Sequence, residues 1–249
     1  MANSYSIGRL FGIPIRVHVF LLALLPVFAS SFMPVNGFRG LFYGALGAIG
    51  LFASVALHEI GHSLVARAKG SRILEILLLP IGGMARLDAL PRRPIDEIQT
   101  ALAGPAVSLA LGIAGLFGAP YVYPFNPLLA IVVHELGRLN VMLVLFNLIP
   151  SFPMDGGRVF RAALVPRLGR LRATQFAAQV GRAFAWLFGL WAIWPAFHGG
   201  TIRFSLLFIA YFIHQAAGAE ARVAEMEALA DLQRGHPSGL FDDLLRKWR

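Results

Sequence analysis

The chain has 249 residues, 57% of them hydrophobic and only 14% charged, whereas about a quarter of an ordinary soluble domain is charged; this is the composition of a polytopic membrane protein. The net charge of +9 does not point to nucleic acid, because the basic residues lie between apolar runs, where cytoplasmic loops of membrane proteins collect them. Cysteine is absent, which excludes disulfides and thiolate metal sites and leaves His and carboxylate as the possible metal ligands.

The first apolar run covers 17–35 and follows Arg9 and Arg16. A cleavable signal peptide around Phe28-Ala29-Ser30 is an alternative, but the run continues to Pro34 without a clean small-x-small site. Five further stretches have the length of about 20 residues that a helix needs to cross a bilayer: 40–68, 95–118, 127–148, 176–197 and 202–219. The expected fold class is therefore an all-α polytopic membrane protein with six transmembrane helices. Residues 71–93 do not fit a span. Pro80, Gly82 and Gly83 punctuate short apolar runs that Arg72, Glu75, Arg86 and Asp88 interrupt; this predicts a small membrane-associated β-hairpin or sheet after the second helix. In the third span Gly104, Ser108 and Gly112 recur at four-residue spacing, which lets two helices approach closely.

From about residue 220 the chain is polar. Val223, Met226, Leu229 and Ala230 predict an amphipathic helix, and Leu240, Phe241, Leu244, Leu245 and Trp248 a second apolar stripe, for packing or for the membrane surface. The expected division is a membrane domain at 1–219 and a cytoplasmic amphipathic tail at 220–249. Lys and Arg then set the orientation. One side receives Arg9, Arg16, the basic residues at 67–93 and those at 158–182; the other receives only Arg39 and Arg203. Both termini are expected in the cytoplasm, with the spans in a prokaryotic inner membrane.

The chemistry concentrates in His58-Glu59-Ile60-Gly61-His62. No charge precedes it between Gly44 and Leu57, and ionisable groups in hydrocarbon are costly unless they have a partner or a function. On a helix, residues i and i+4 share a face, so His58 and His62 can grip one ion, with Glu59 placed to take a proton from an attacking water. A core pair of histidines with Glu59 salt-bridged to an Arg is the structural alternative. A hydrolytic zinc needs a third ligand. The segment Asn147-Leu-Ile-Pro-Ser-Phe-Pro-Met-Asp155-Gly156-Gly157 offers Asp155, after a helix broken by Pro150 and Pro153. His134-Glu135-Leu136-Gly137-Arg138 is a decoy: Arg138 binds no metal, and a Glu135–Arg138 pair one turn apart explains its charges.

With HEIGH at 58–62 and NLIPSFPMDGG at 147–157, the sequence resembles the site-2 protease family of intramembrane zinc metalloproteases (peptidase family M50). The similarity continues in Gly-Pro-Ala-Val-Ser at 104–108, Pro-Ile-Gly-Gly at 80–83 and the opening at 12–18. The resemblance implies one zinc ion held by His58, His62 and Asp155, with Glu59 as general base and later proton donor. It implies that Asn147 helps hold the substrate backbone, and that Gly82 and Gly83 lie in a β region whose edge pairs with an unwound substrate. It also implies a transmembrane protein as substrate, cut to release a regulator or to clear signal-peptide remnants. The chain departs from some relatives: it has no PDZ-like insertion between the spans and no CBS pair after the last helix, so regulation through either is not expected. The competing readings are a catalytically silent protein that binds membrane substrates and a metal transporter using the same ligands.

Overall fold

The computed structural model describes residues 4–32, 37–80, 82–88 and 93–233. The chain opens not with a helix but with two strands, β1 (Ser4–Leu10) and β2 (Ile13–His18). Phe11 and Gly12 connect them with φ of 51° and 80°, the positive angles of a mirror-image hairpin turn that suits the twist of the strands. Helix α1 (Val19–Phe32) and helix α2 (Phe38–Ala68) follow, then β3 (Ile73–Leu79) and β4 (Gly82–Leu87). The strands form one sheet in the order β1-β2-β3-β4; β2 runs parallel to β3, and the other neighbours are antiparallel.

The expected mostly helical fold with a small sheet is found, but the sheet draws on more of the chain than 71–93. β3 and β4 are half of it, and residues before the first helix supply the rest. Six of the seven residues of β1 are exposed, so no alternation of buried and exposed positions marks it as a strand. Val17 and His18, read as the start of the first span, belong to β2.

The chain divides into two compact units. The first contains the residues up to 92 and 102–146, and so holds the sheet, α1, α2, most of α3 (Pro94–Val122) and nearly all of α4 (Pro127–Asn147). Its core joins Ile13 and Val17 of β2, Leu21 of α1, Phe52, Ala56 and Ile60 of α2, and Ile76 and Leu78 of β3. The sheet therefore covers one face of α2. Other faces of α2 present glycines to α3 and α4. A Cβ on Gly61 would lie 2.8 Å from the Ala103 carbonyl oxygen, and one on Gly50 would lie 2.6 Å from Leu136. Gly115 of α3 meets Gly137 of α4 backbone to backbone. Small residues thus bring α2, α3 and α4 close together.

The second unit contains 93–101 and the chain from 147 onward. It holds the first turns of α3, α5 (Asp155–Leu168), α6 (Arg170–Ile193), a 3₁₀ turn (Trp194–His198) and α7 (Phe204–Gln233). Helices α6 and α7 pack as an antiparallel pair: Ala178 and Ala217 share one buried cluster, and Ala185 and Ile213 another. Helix α5 is not expected from the sequence, because Pro153, Gly156 and Gly157 read as breaks rather than as the approach to a helix.

Among the described residues, four helical stretches are long and apolar enough to cross a membrane: Phe38–Ala68, Pro94–Val122, Pro127–Asn147 and Arg170–His198. The protein is an integral membrane protein on these stretches. The expected first span corresponds to α1, of 14 residues. The expected sixth span is the first half of α7, which continues unbroken through the predicted amphipathic helix to Gln233. The second apolar stripe, at 240–248, lies outside the described residues.

Candidate metal centre

His58 and His62 lie one turn apart on α2, and both are buried. Their Nε2 atoms face each other at 3.0 Å, with the rings edge to face. Ser108 of α3, fully buried, holds the other side of His58: its Oγ lies 2.9 Å from Nδ1. A proton on Nδ1 donated to Ser108 leaves the Nε2 lone pair directed toward His62, the tautomer that a metal ligand requires. One turn earlier on α3, Gly104 makes the room. A Cβ there would meet His58 Nε2 at 2.7 Å and would overlap the His62 ring.

Glu59 is half-buried and turns toward the sheet. The Ala85 backbone N–H of β4 donates to its Oε2 at 3.2 Å. Gly83, also on β4, packs on the same side chain; a Cβ at 83 would come within 2.5 Å of Glu59 Cγ. The end strand of the sheet therefore fixes this carboxylate.

In the second unit, Asp155 is the first residue of α5 and is buried. The loop before it folds tightly against the helix start: the Met154 N–H donates to the Ser151 carbonyl at 2.9 Å, and the Gly157 N–H to Met154 O at 3.1 Å. A Cβ on Gly157 would lie 2.6 Å from the Phe152 backbone nitrogen, and one on Gly156 would strike the carbonyl of Leu148. Only glycine admits this contact. Phe152 is fully buried, with the Arg161 guanidinium 5.1 Å from its ring centroid. Arg161 is itself buried: its Nε donates to Glu97 Oε1 at 2.8 Å, its Nη2 reaches the same oxygen, and Glu220 lies at 3.8 Å. Arg170 approaches the second Glu97 oxygen at 3.5 Å. Ion pair and aromatic ring together fasten the loop that leads to Asp155.

The sequence profile of Peptidase family M50 matches residues 46–135 and 129–188, more than half of the chain. The chain belongs to peptidase family M50. A zinc metalloprotease of Methanocaldococcus jannaschii is 38% identical over 234 residues, which cover 92% of this chain and 64% of that protein. Stage IV sporulation protein FB of Bacillus subtilis is 25% identical over 177 residues, 68% of this chain and 58% of that one. Among solved structures, the site-2 protease from Methanocaldococcus jannaschii matches with a TM-score of 0.63 and 34% identity, over 88% of this chain and 95% of that chain. This M50 chain spans 62–64% of the length of the first curated relatives it matches.

The buried imidazoles of His58 and His62 offer this M50 protein two nitrogen donors for a metal ion. The imidazole pair fits zinc. Two nitrogens at about 2.05 Å from a tetrahedral ion stand about 3.3 Å apart, close to the observed 3.0 Å. The space kept open by Gly104 lies at those nitrogens.

The other residues singled out in the sequence fall as follows. Asn147 ends α4 and is half-buried. Gly82 opens β4 at a φ of 140° with nothing near its Cβ position, whereas Gly83 touches Glu59. In the decoy, Arg138 Nη2 lies 2.7 Å from Glu135 Oε2, as its spacing predicts. Sequence reasoning misses Ser108 and Gly104 as parts of the site, because both read as helix-packing residues. Their place within Gly-Pro-Ala-Val-Ser is the available signal. It also misses Ala85, whose contribution is a backbone N–H.

Proposed function

We propose that the chain is an intramembrane zinc endopeptidase that hydrolyses peptide bonds of single-span membrane proteins, in releasing a regulator or clearing signal-peptide remnants. The buried His58–His62 pair, with Nε2 atoms 3.0 Å apart and Glu59 beside it, carries this reading. Here His58, His62 and Asp155 hold one zinc ion. When bound, zinc supplies a Lewis acid that polarises the scissile carbonyl and acidifies water. Glu59 takes the proton of the attacking water at its carboxylate and passes it to the leaving amine nitrogen. The Ala85 N–H holds the carboxylate for that exchange.

A transmembrane helix hides its peptide bonds, so the substrate unwinds locally before attack. β4 stands at one end of the sheet, and Gly82 and Gly83 in that strand leave its edge open to an extended substrate by strand addition. The Asn147 carboxamide, on the half-buried end of α4, helps hold the substrate backbone. The chain crosses the membrane six times, with α1 and the first half of α7 completing the four longer spans. The basic loops keep both termini in the cytoplasm, and the membrane is the inner membrane of a prokaryotic cell. Glu59→Gln is expected to retain zinc, measured by elemental analysis, and to lose cleavage of a co-expressed single-span substrate. Cleavage by that variant at the wild-type rate would overturn the assignment. Asp155→Ala is expected to lose the metal.

A further inference from the structure

Arg182 of α6 and Arg222 of α7 converge on Gly218. A Cβ on Gly218 would meet Arg182 Nη2 at 3.1 Å and Arg222 Nη1 at 3.5 Å, so the glycine leaves the space over which both guanidiniums fold. Among the described residues, neither guanidinium is ion-paired with a carboxylate, and the buried Nε of Arg182 has no hydrogen-bond partner. The carboxylates nearby are engaged elsewhere. Glu220 faces Arg161 at 3.8 Å, Glu97 is held by Arg161 and Arg170, and Glu225 accepts from Gln175 at 3.0 Å. Arginine stays protonated in proteins, so among the described residues two like charges sit over one glycine without a counter-ion, an arrangement that repels itself until an anion joins it.

The pair also marks a level in the membrane. No charged residue occurs in 183–202 or in 204–219. Because α6 and α7 are antiparallel, Arg182 and Arg222 lie at the same end of these two apolar lengths. One turn further along α6 stands Trp186, 68% exposed and edge-on to His214 of α7. Exposed tryptophan is typical of the level of lipid headgroups. Beyond it Leu190, Tyr211 and Phe208 are exposed, an apolar surface suited to acyl chains.

We propose that Arg182 and Arg222 bind the phosphate of an anionic phospholipid, its acyl chains lying along Trp186 and the apolar surface beyond. Guanidinium groups donate in planar forks to phosphate oxygens, and basic pockets between membrane helices take anionic headgroups. A free phosphate ion shares the first contact but makes no use of the apolar surface, which favours the lipid. The inference rests on the membrane-embedded helices and is independent of the peptidase reading.

The test is native mass spectrometry of the full chain in detergent with phosphatidylglycerol or phosphatidylcholine. The wild type retains phosphatidylglycerol in preference to phosphatidylcholine. Each arginine near an anionic surface contributes a factor of about five, so Arg182→Gln/Arg222→Gln weakens that retention about twenty-five-fold. Arg222→Gln alone, at an exposed position that does not challenge the fold, weakens it about five-fold, and Arg172→Gln, at another exposed arginine of α6, leaves it unchanged. Equal retention by the wild type and both variants at 222 overturns the site. Inorganic phosphate is the second probe, read by thermal shift in lipid-free detergent. If phosphate stabilises the protein through these arginines while phosphatidylglycerol is retained no better than phosphatidylcholine, the lipid is overturned in favour of a soluble anion.

Discussion

Ser108→Ala isolates the support of one proposed zinc ligand from the ligand itself. The substitution deletes a single oxygen, at a fully buried position, that lies 2.9 Å from His58 Nδ1. With the hydroxyl gone, the Nδ1–H loses that acceptor at a buried position. A buried donor stripped of its partner costs about 1–3 kcal/mol. The ring also loses the bond that selects its tautomer, and loss of such a support under a metal ligand weakens metal affinity about 10–100-fold. The assay is competition for zinc between the purified protein and a chelator of known affinity, run for the wild type, Ser108→Ala and Ser108→Thr. Alanine is expected to weaken zinc by one to two orders of magnitude, and threonine, which keeps the hydroxyl, to restore part of the loss. Wild-type affinity in Ser108→Ala would refute the claim that this hydrogen bond presents His58 to the metal.

Three further substitutions test neighbouring contacts. Gly104→Ala places a methyl group 2.7 Å from His58 Nε2 and is expected to abolish zinc binding; full zinc occupancy by elemental analysis would contradict the open space assigned to that glycine. Gly83→Ala pushes on the Glu59 side chain at 2.5 Å and is expected to leave zinc in place while kcat falls about 100-fold, the effect of a displacement of roughly 1 Å in a reacting group; the readout is cleavage of a single-span substrate, and an unchanged kcat would count against Glu59 as base. Glu97→Ala strips the buried Arg161 of its closest partner and is expected to cost about 3–5 kcal/mol of stability, followed by unfolding in mixed micelles; a loss below about 1 kcal/mol would mean that Glu220 and Phe152 suffice to hold Arg161.

Residues with a distinctive chemical pattern are legible in the sequence itself. Two histidines four apart in an uncharged run point to a shared ligand, and the spacing of Glu135 and Arg138 announces their ion pair. Residues whose role depends on an absent side chain or on the backbone are not legible in this way. Ser108 and Gly104 carry the same small-residue signal whether they face a helix or an imidazole, since the helical period reports a face and not the neighbour across it. The Ala85 N–H belongs to every non-proline residue and has no signature at all. β1 is hidden because an exposed strand with an adjoining Phe-Gly turn lacks the alternation that marks a half-buried one, and β2 because its Val17 and His18 run directly into the apolar stretch of α1. Helix α5 is hidden because Gly156 and Gly157, which read as flexible, are required instead by the backbone packed against them.

The contact of Gly104 with both imidazoles also bears on how the pocket could be redesigned. Its dimensions are set by an atom that α3 does not have, so side-chain growth at 104 can only shrink it. At this point the wall facing His58 and His62 is already main chain, so no substitution at 104 can enlarge the space there. Widening the pocket would require moving α3 away from α2, and the close approach of Gly61 to the Ala103 carbonyl ties those two helices together within one residue of Gly104.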